Sequence, residues 1–483
     1  MPEIANFGGN VRFTPRHFYE PRTEDEVLAI LDRHAHDRVR VVGSRHSWSE
    51  AIVCHDVIID LTHFDQVTLT ETAAGEVRAT AGGGCRIDRL LSEIQSRSGC
   101  TMPTLGLITE QTIAGAISTA THGSGRHSLS HYMQEIRTAA YDEATGKARI
   151  YVWNSGDELR AARCAVGCLG IILSVTFRCV PKYLISDRLE RCRSLDDVLA
   201  GEEEYPLQQF YLVPWLWDWF AQRRKTAIDE PRSRFADLYR RYWYLGIDLG
   251  FHLFVKLLVS VLRSRLLVRF FYRWLMAPAI LKNVTIVDHS DRALIMEHEL
   301  FRHMEIEIFV PARHVREAAD FVRDVLCACD SPRAALSERT EQALRRHGLV
   351  DALAALRGTY TQHYVVTFRR VLPDDALIAM TAGAPTTRAD EPWYAISFIT
   401  YSEPRDAFRG LAKFLLASMI RLYGARPHWG KYCPLTQDEA AALYPQLEEF
   451  RRIARGVDPE GVFQNEFVGR VLGFKRSVGA SAP

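Results

Sequence analysis

A histidine set in a glycine turn directly after a strand is the first feature with chemical potential. Val39 to Val42 reads as a strand and runs into Gly43, Ser44, Arg45, His46 and Ser47. Successive backbone N–H groups in such a turn form an anion-binding concavity suited to a pyrophosphate. A histidine inside it is also placed to attack an electrophilic carbon of a bound cofactor. A second patch runs through Gly106 and Thr112 to Gly125. Its small residues around Gly115 let a flat ligand approach the backbone closely. Thr119, Thr121 and Ser124 offer hydroxyls, His122 an imidazole, and the Gly123-Ser124-Gly125 turn its amides. It is not the Rossmann fingerprint, because Ser128 stands where a third glycine would follow. A third patch, Gly167 to Ile172, brings Gly170, Ile171 and Ile172 close to something at the start of a strand. Near the far end, Arg426-Pro427-His428-Trp429-Gly430-Lys431 places an imidazole and an ammonium three residues apart.

The elements that must position these groups alternate over the first 182 residues. Thr23 and Glu26 have capping-box spacing, and Val27, Leu28 and Leu31 supply an apolar helix face. Strands are expected at 39–42, 57–61, 77–81, 136–141 and 171–177, with a helix near 88–96. Beyond Pro181 the glycine turns largely stop, and Trp, Tyr, Arg and Leu dominate up to residue 300. Strands are expected again at 304–310, 361–370 and 393–401, and a helix at 315–327. The fold class is α+β.

The 483 residues provide for two or three domains. A formal net charge of +1 gives no basic field for nucleic acid. The ten cysteines show no Cys-x2-Cys pair, which argues against a zinc or disulfide framework and for a reducing compartment. No metal site is expected. His298, Glu299 and His303 only approximate a zinc-protease motif, since the histidines are five apart. His127 and His131 read as surface or supporting residues, and Glu305 and Glu307 as exposed strand charges. The start of the chain lacks the basic and apolar regions of a signal peptide, so the expected location is cytoplasmic.

Taken in order, the four patches resemble the FAD-linked oxidases of the vanillyl-alcohol oxidase fold, in the L-gulonolactone, D-arabinonolactone and alditol oxidase branch. The His46 loop looks like that family's flavinylation motif, and 114–125 and 167–172 like its second and third flavin loops. Residues 426–431 and the run Asp458-Pro459, Phe463, Asn465 and 470–473 look like its C-terminal signatures. The resemblance implies a two-subdomain PCMH-type FAD-binding domain over 1–182. It implies an α+β substrate domain with an antiparallel sheet and flanking helices over 183–425. The segment 426–483 would return to the active site. His46 would bond to the flavin 8α-methyl carbon, Lys431 would stabilise reduced flavin, and His428 would shape the site. The implied reaction is oxidation of a CH–OH group by hydride transfer to flavin N5, with O2 or another electron acceptor.

Two departures bear on substrate. The family's Glu-hydrophobic-Arg strand before an Asp-Asp pair aligns with Val365 and Thr367 ahead of Asp374-Asp375, and Arg369 shares their strand face. Losing that polyol-gripping pair implies a less polar or larger substrate, an alcohol, lactone or lipid-linked molecule. The segment 251–276 mixes Lys256, Arg263, Arg265, Arg269 and Arg273 with apolar residues. It fits either a basic helix on a membrane surface, making the enzyme peripheral, or a helix packed under the substrate domain. Two alternatives follow: a flavin dehydrogenase feeding a membrane quinone or protein acceptor, and a non-catalytic partner subunit of the same fold.

Overall fold

Thr23 caps the first helix as its spacing with Glu26 predicts: its hydroxyl accepts the Glu26 N–H at 3.2 Å, and Val27, Ile30 and Leu31 are buried along one face of Glu24–Arg33. The computed structural model describes residues 2–296, 302–383, 388, 390–401, 403 and 405–474. That helix leads into strand Val39–Val42 at the edge of a three-stranded parallel sheet with Val57–Asp60 at its centre and His17–Tyr19 beyond. Val57, Ile58 and Ile59 are all buried, as a strand covered on both faces requires. A five-stranded antiparallel sheet follows, in the order 148–153, 133–141, 171–178, 77–82 and 67–71. One apolar core joins both sheets to the C-terminal helices Gln437–Leu443, Leu447–Val457 and Glu466–Leu472. The strands and helix expected in this half all form, with ends shifted by a few residues at most.

Residues 184–427 build a second, eight-stranded antiparallel sheet. Its order is 286–289, 184–192, 219–227, 209–212, 366–371, 393–400, 304–311 and 426–427. Helices Val315–Asp330 and Asp406–Tyr423 cover one face. Strand Met304–Pro311 shows how the sheet divides its labour. Met304, Ile306, Ile308 and Val310 point into the core under those helices. Glu305 and Glu307, one residue out of phase, point the other way into a cavity. Each buried Ile is worth roughly 1.5–3 kcal/mol, so this register is held firmly. The strands at 184–192, 209–212 and 219–227 were not foreseen, because they carry buried Asp187, Gln222, Arg223 and Arg224 and show no clean alternation.

The segment expected as one helix over 251–276 is instead parts of two arms of a hairpin. Helix Ala236–Val261 forms the first arm. The chain turns at Arg263, whose φ is 47°, and the Ser264 side chain caps the second arm, 265–279, by accepting the Leu267 N–H at 3.3 Å.

The C-terminal segment is tied back to the first half by buried polar groups. The Arg40 guanidinium donates to the carbonyls of Ala51, Val166, Gly167 and Phe463 at 2.7–3.2 Å. The Asn465 amide donates to Glu50, Ala51 and Val53 carbonyls at 2.9–3.1 Å. These bonds hold the His46 loop, the 167–172 loop and the chain end as one unit.

Candidate active site

A cavity of about 410 Å³ runs from the end of strand Val39–Val42, past Gly83, Gly84 and Ile172, to the open face of the eight-stranded sheet. Its inner part is a backbone cradle. A Cβ at Gly43 would overlap Thr112 Oγ1, one at Gly83 the Ile172 carbonyl, and one at Gly84 the Leu61 carbonyl. Gly170 has φ +92°, a region only glycine enters cheaply. Arg45 and Val166 also sit at positive φ, 60° and 49°. Such strain persists where surrounding structure over-determines the loop, and it clusters at ligand clamps.

His46 lies in this cradle, stacked on Phe7 with ring centroids 4.9 Å apart. Its Nδ1 is buried and has no hydrogen-bond partner. Burial, with the positive charges of Arg86 and Lys431 and with His303, pulls its pKa down to about 4. The ring is therefore neutral at physiological pH, with a nitrogen lone pair unspent. An orphaned buried nitrogen in a glycine-tight cradle fits the residues to a flat phosphorylated cofactor.

Most of the loop residues expected to bind cofactor do line the cavity. They are Gly43 to Ser47, Thr112, Gly115, Thr119, Thr121, His122, Gly170 and Ile172. Gly106, Gly123, Ser124, Gly125 and Ile171 do not. A Cβ on Gly106 would press on Thr121 Cγ2, and one on Gly125 would overlap the Pro206 carbonyl. Ser124 Oγ donates to the Gln208 carbonyl, and the Gly125 N–H to the Arg370 carbonyl at 2.6 Å. These residues form the seam between the two halves of the molecule.

At the other wall, charged side chains converge. Lys431 Nζ lies 2.6 Å from Glu305 Oε2 and 4.1 Å from the centroid of the Trp48 ring. Arg369 Nη1 and Ser397 Oγ donate to Glu307 Oε1 at 3.2 and 2.8 Å. His122 Nε2 is 3.5 Å from Glu307 Oε2, while its Nδ1 meets the Gly123 carbonyl at 2.9 Å. His428 Nδ1 accepts the Gly430 N–H at 2.9 Å, which puts the proton of the neutral ring on Nε2. One nitrogen or oxygen from each of His122, Glu307 and His428 lies within 4.8 Å of the others. Burial pushes the His428 pKa down to about 3. Burial would raise both carboxylates, but the groups beside them win: Lys431 and His303 hold Glu305 below the usual range, and His122 and Arg369 do the same for Glu307.

The reading of Glu305 and Glu307 as exposed strand charges is thus overturned; both are buried in the site. Lys431, expected to stabilise reduced flavin, has a carboxylate partner in Glu305. Val365 and Thr367 do line the cavity, yet a carboxylate–guanidinium pair is present nonetheless, supplied by Glu307 and Arg369 from strands either side of 393–400. His303, Trp48 and Tyr364 were missed as site residues. Only the Glu-x-Glu spacing on a strand ending at Pro311 pointed to this wall. His127 and His131 stack 3.9 Å apart at the seam, where His131 Nδ1 lies 3.4 Å from both Asp374 and Asp375. His298 and Glu299 lie outside the described residues.

Comparison with known proteins agrees with this construction. The FAD binding domain family matches residues 15–147, and the D-arabinono-1,4-lactone oxidase family matches 175–471. A long-chain alcohol oxidase from an uncultured marine euryarchaeote is 45% identical over 98% of both chains. The L-gulonolactone oxidase of Bos taurus is 24% identical over 97% of this chain and 98% of its own. Among solved structures, a solvent-stable cholesterol oxidase superposes with a TM-score of 0.74 at 14% identity, over 98% of this chain and 97% of its own, a likeness of fold. Cradle, acid–base cluster and matched domains together define an FAD-dependent oxidoreductase acting on CH–OH groups. Within that class, the chain belongs to the D-arabinono-1,4-lactone oxidase family.

Proposed function

We propose that the protein oxidises long-chain primary alcohols to aldehydes, passing the electrons to O2, with its FAD bonded to His46. The observation that carries this reading is the cavity's construction. A buried acid–base cluster sits at its base, and Tyr239, Trp243, Ile247 and Phe251 of helix Ala236–Val261 line the wall above. On the opposite wall, the polar groups largely satisfy one another. Gln222 donates to Asp187 at 2.9 Å, and Gln209 and Tyr211 donate to Gln222 at 2.8 and 3.0 Å. On that wall Asp187 Oδ1 and Arg224 Nε are left without a hydrogen-bond partner, fewer groups than the several hydroxyls of a sugar lactone call for, while the aromatic side chains of the helix suit an alkyl chain. The 45% identical relative is named for long-chain alcohols, whereas the lactone-named ones are near 24%.

Bound FAD supplies the two-electron acceptor. The protein's own groups handle position and proton. The Glu307–Arg369 pair and His428 Nε2–H orient the substrate oxygen, and the His122–Glu307 pair takes up the hydroxyl proton, the carboxylate stabilising the imidazolium that results. Lys431, backed by Glu305, supplies positive charge where negative charge develops. The overall balance is RCH2OH + O2 → RCHO + H2O2. Among the described residues the ten cysteines are free thiols, which supports a reducing, cytoplasmic setting.

The test uses dodecan-1-ol, xylitol and L-gulono-1,4-lactone with purified protein, reading peroxide in air and dye reduction under argon. The reading expects dodecan-1-ol to be preferred and peroxide to match aldehyde. Preference for xylitol or the lactone overturns the substrate, and dye reduction without peroxide overturns O2. Acid precipitation reads the tether: a yellow pellet supports a His46 bond, and a yellow supernatant refutes it.

A further inference from the structure

The same helix that walls the cavity turns a second apolar face outward. Leu238, Leu245, Leu253 and Leu257 fall on one helical stripe and are 42–65% exposed. On the second arm Leu266, Phe270 and Trp274, spaced by four, are 52–74% exposed. Val261 and Leu262 stand out at the tip, and Ile228, Phe235, Leu281 and Val284 flank the base. Sixteen of the eighteen exposed large hydrophobic side chains among the described residues lie between 228 and 284. They form a patch, not the scatter usual on a soluble surface. Only 17% of the most apolar stretch of the first arm is buried, and a helix apolar on all sides needs a non-aqueous neighbour.

Charge selects that neighbour. Between 236 and 279 stand Arg240, Arg241, Lys256, Arg263, Arg265, Arg269 and Arg273, against Asp237 and Asp248. Seven cations against two anions is a local excess of five, on a chain whose formal net charge is +1. Arg269 is spent on Asp330, but Lys256, Arg263 and Arg273 are exposed beside the apolar stripe. Interleaved basic and apolar exposure, with Trp274 among it, is the signature of a helix lying in the interface of an anionic bilayer. The arms do not cross that bilayer, because their inner sides are fastened to the sheet. Tyr364 OH meets His252 Nε2 at 3.1 Å, Tyr272 OH donates to the His363 carbonyl at 2.9 Å, and Arg265 donates to the Gly358 carbonyl at 2.7 Å.

We propose that the hairpin 236–279 seats the enzyme monotopically on an anionic lipid bilayer and takes its substrate directly from the lipid. This deepens the alcohol reading and rests on it only for the substrate. A long alcohol partitions into lipid, and one helix then separates the bilayer from the cavity.

The test is flotation of the full-length FAD-loaded protein with vesicles of equal parts phosphatidylcholine and phosphatidylglycerol, and with phosphatidylcholine alone. The outer-stripe variant carries Leu253→Gln, Leu257→Gln, Leu266→Gln and Phe270→Gln, none of which lines the cavity. A charge variant carries Lys256→Glu, Arg263→Glu and Arg273→Glu. Wild type is expected to float with the anionic vesicles, and both variants to float at least about tenfold less. Turnover of water-soluble hexan-1-ol should stay unchanged in both, while turnover of hexadecan-1-ol held in vesicles falls at least about tenfold. Wild type remaining at the bottom of the gradient overturns the proposal. So does a stable dimer in sedimentation that the outer-stripe variant splits, since a second copy would then cover the patch. If neither hexan-1-ol nor hexadecan-1-ol is oxidised while the protein still floats, the alcohol reading fails and the docking surface stands.

Discussion

In the cradle around Gly43, Gly83, Gly84 and Gly170, backbone and hydroxyl atoms stand where a side chain would have to go. Along the sheet wall around Glu305, Glu307 and Arg369, side chains from separate strands define the surface, and the backbone serves only to aim them. The first region accepts one ligand shape and tolerates little change. The second can be rewritten one residue at a time without disturbing the fold. Members of one family can therefore share a cofactor and differ in substrate. Val365 and Thr367 line this wall, and an aromatic helix stands above it.

The comparison is most sharply tested in the cradle. Gly84→Ala should be the most damaging single change, because its Cβ would fall 1.8 Å from the Leu61 carbonyl oxygen, which the Phe64 N–H holds at 2.8 Å. A loss of at least about 3 kcal/mol is expected, read as a lower melting temperature and lost flavin in the soluble protein. Gly456→Ala, in a helix with nothing within 4 Å, is the matched control and should be neutral or slightly stabilising. In the wall, Glu307→Gln should leave melting temperature and flavin content nearly unchanged, since a Gln oxygen still accepts from Arg369 and Ser397. It should lower kcat by about 10²–10³, because the carboxylate that stabilises the imidazolium formed when His122 takes up the hydroxyl proton is gone.

Smaller effects probe the upper wall and the seam. Phe251→Ala should lower kcat/KM for dodecan-1-ol by about tenfold and for butan-1-ol by less than about twofold, as the lost contact is with the chain and not the hydroxyl. At the seam, burial opposes protonation of His131, but Asp374 and Asp375 outweigh it and raise the pKa to about 9. A histidine raised above its unfolded value stabilises fully below about pH 6.5. That contribution is lost as pH rises through about 9. The melting temperature should fall by a few degrees over this window, and His131→Gln should flatten that fall.

The two regions also differed in how far the sequence revealed them. Gly43 to His46, Gly115 and Thr119 were legible because a backbone cradle imposes residue types at fixed spacing. Strands such as 57–60 were legible because burial on both faces leaves a continuous apolar run. Gly123 to Gly125 carried the same glycine signal yet serve the seam, because close approach of protein backbone and close approach of a phosphate demand the same residue. Glu305 and Glu307 were misread because a buried carboxylate looks like an exposed one until the partners, Lys431 over a hundred residues away and Arg369 two strands across, are brought in. The hairpin was half seen. Its basic apolar second arm stood out, but Asp237, Arg240, Arg241 and Asp248 hid the start of the first.

The central claim is that an apolar wall above a buried acid–base pair sets the substrate. Its most direct test is kcat/KM for straight-chain primary alcohols of increasing length, measured on the same flavin-loaded protein alongside L-gulono-1,4-lactone. Each methylene that reaches the wall of helix Ala236–Val261 should raise kcat/KM by up to roughly fourfold, the equivalent of about 0.8 kcal/mol, until the cavity is filled. The lactone should fall far below the longer alcohols. A flat dependence on chain length, with the lactone preferred, would contradict the account.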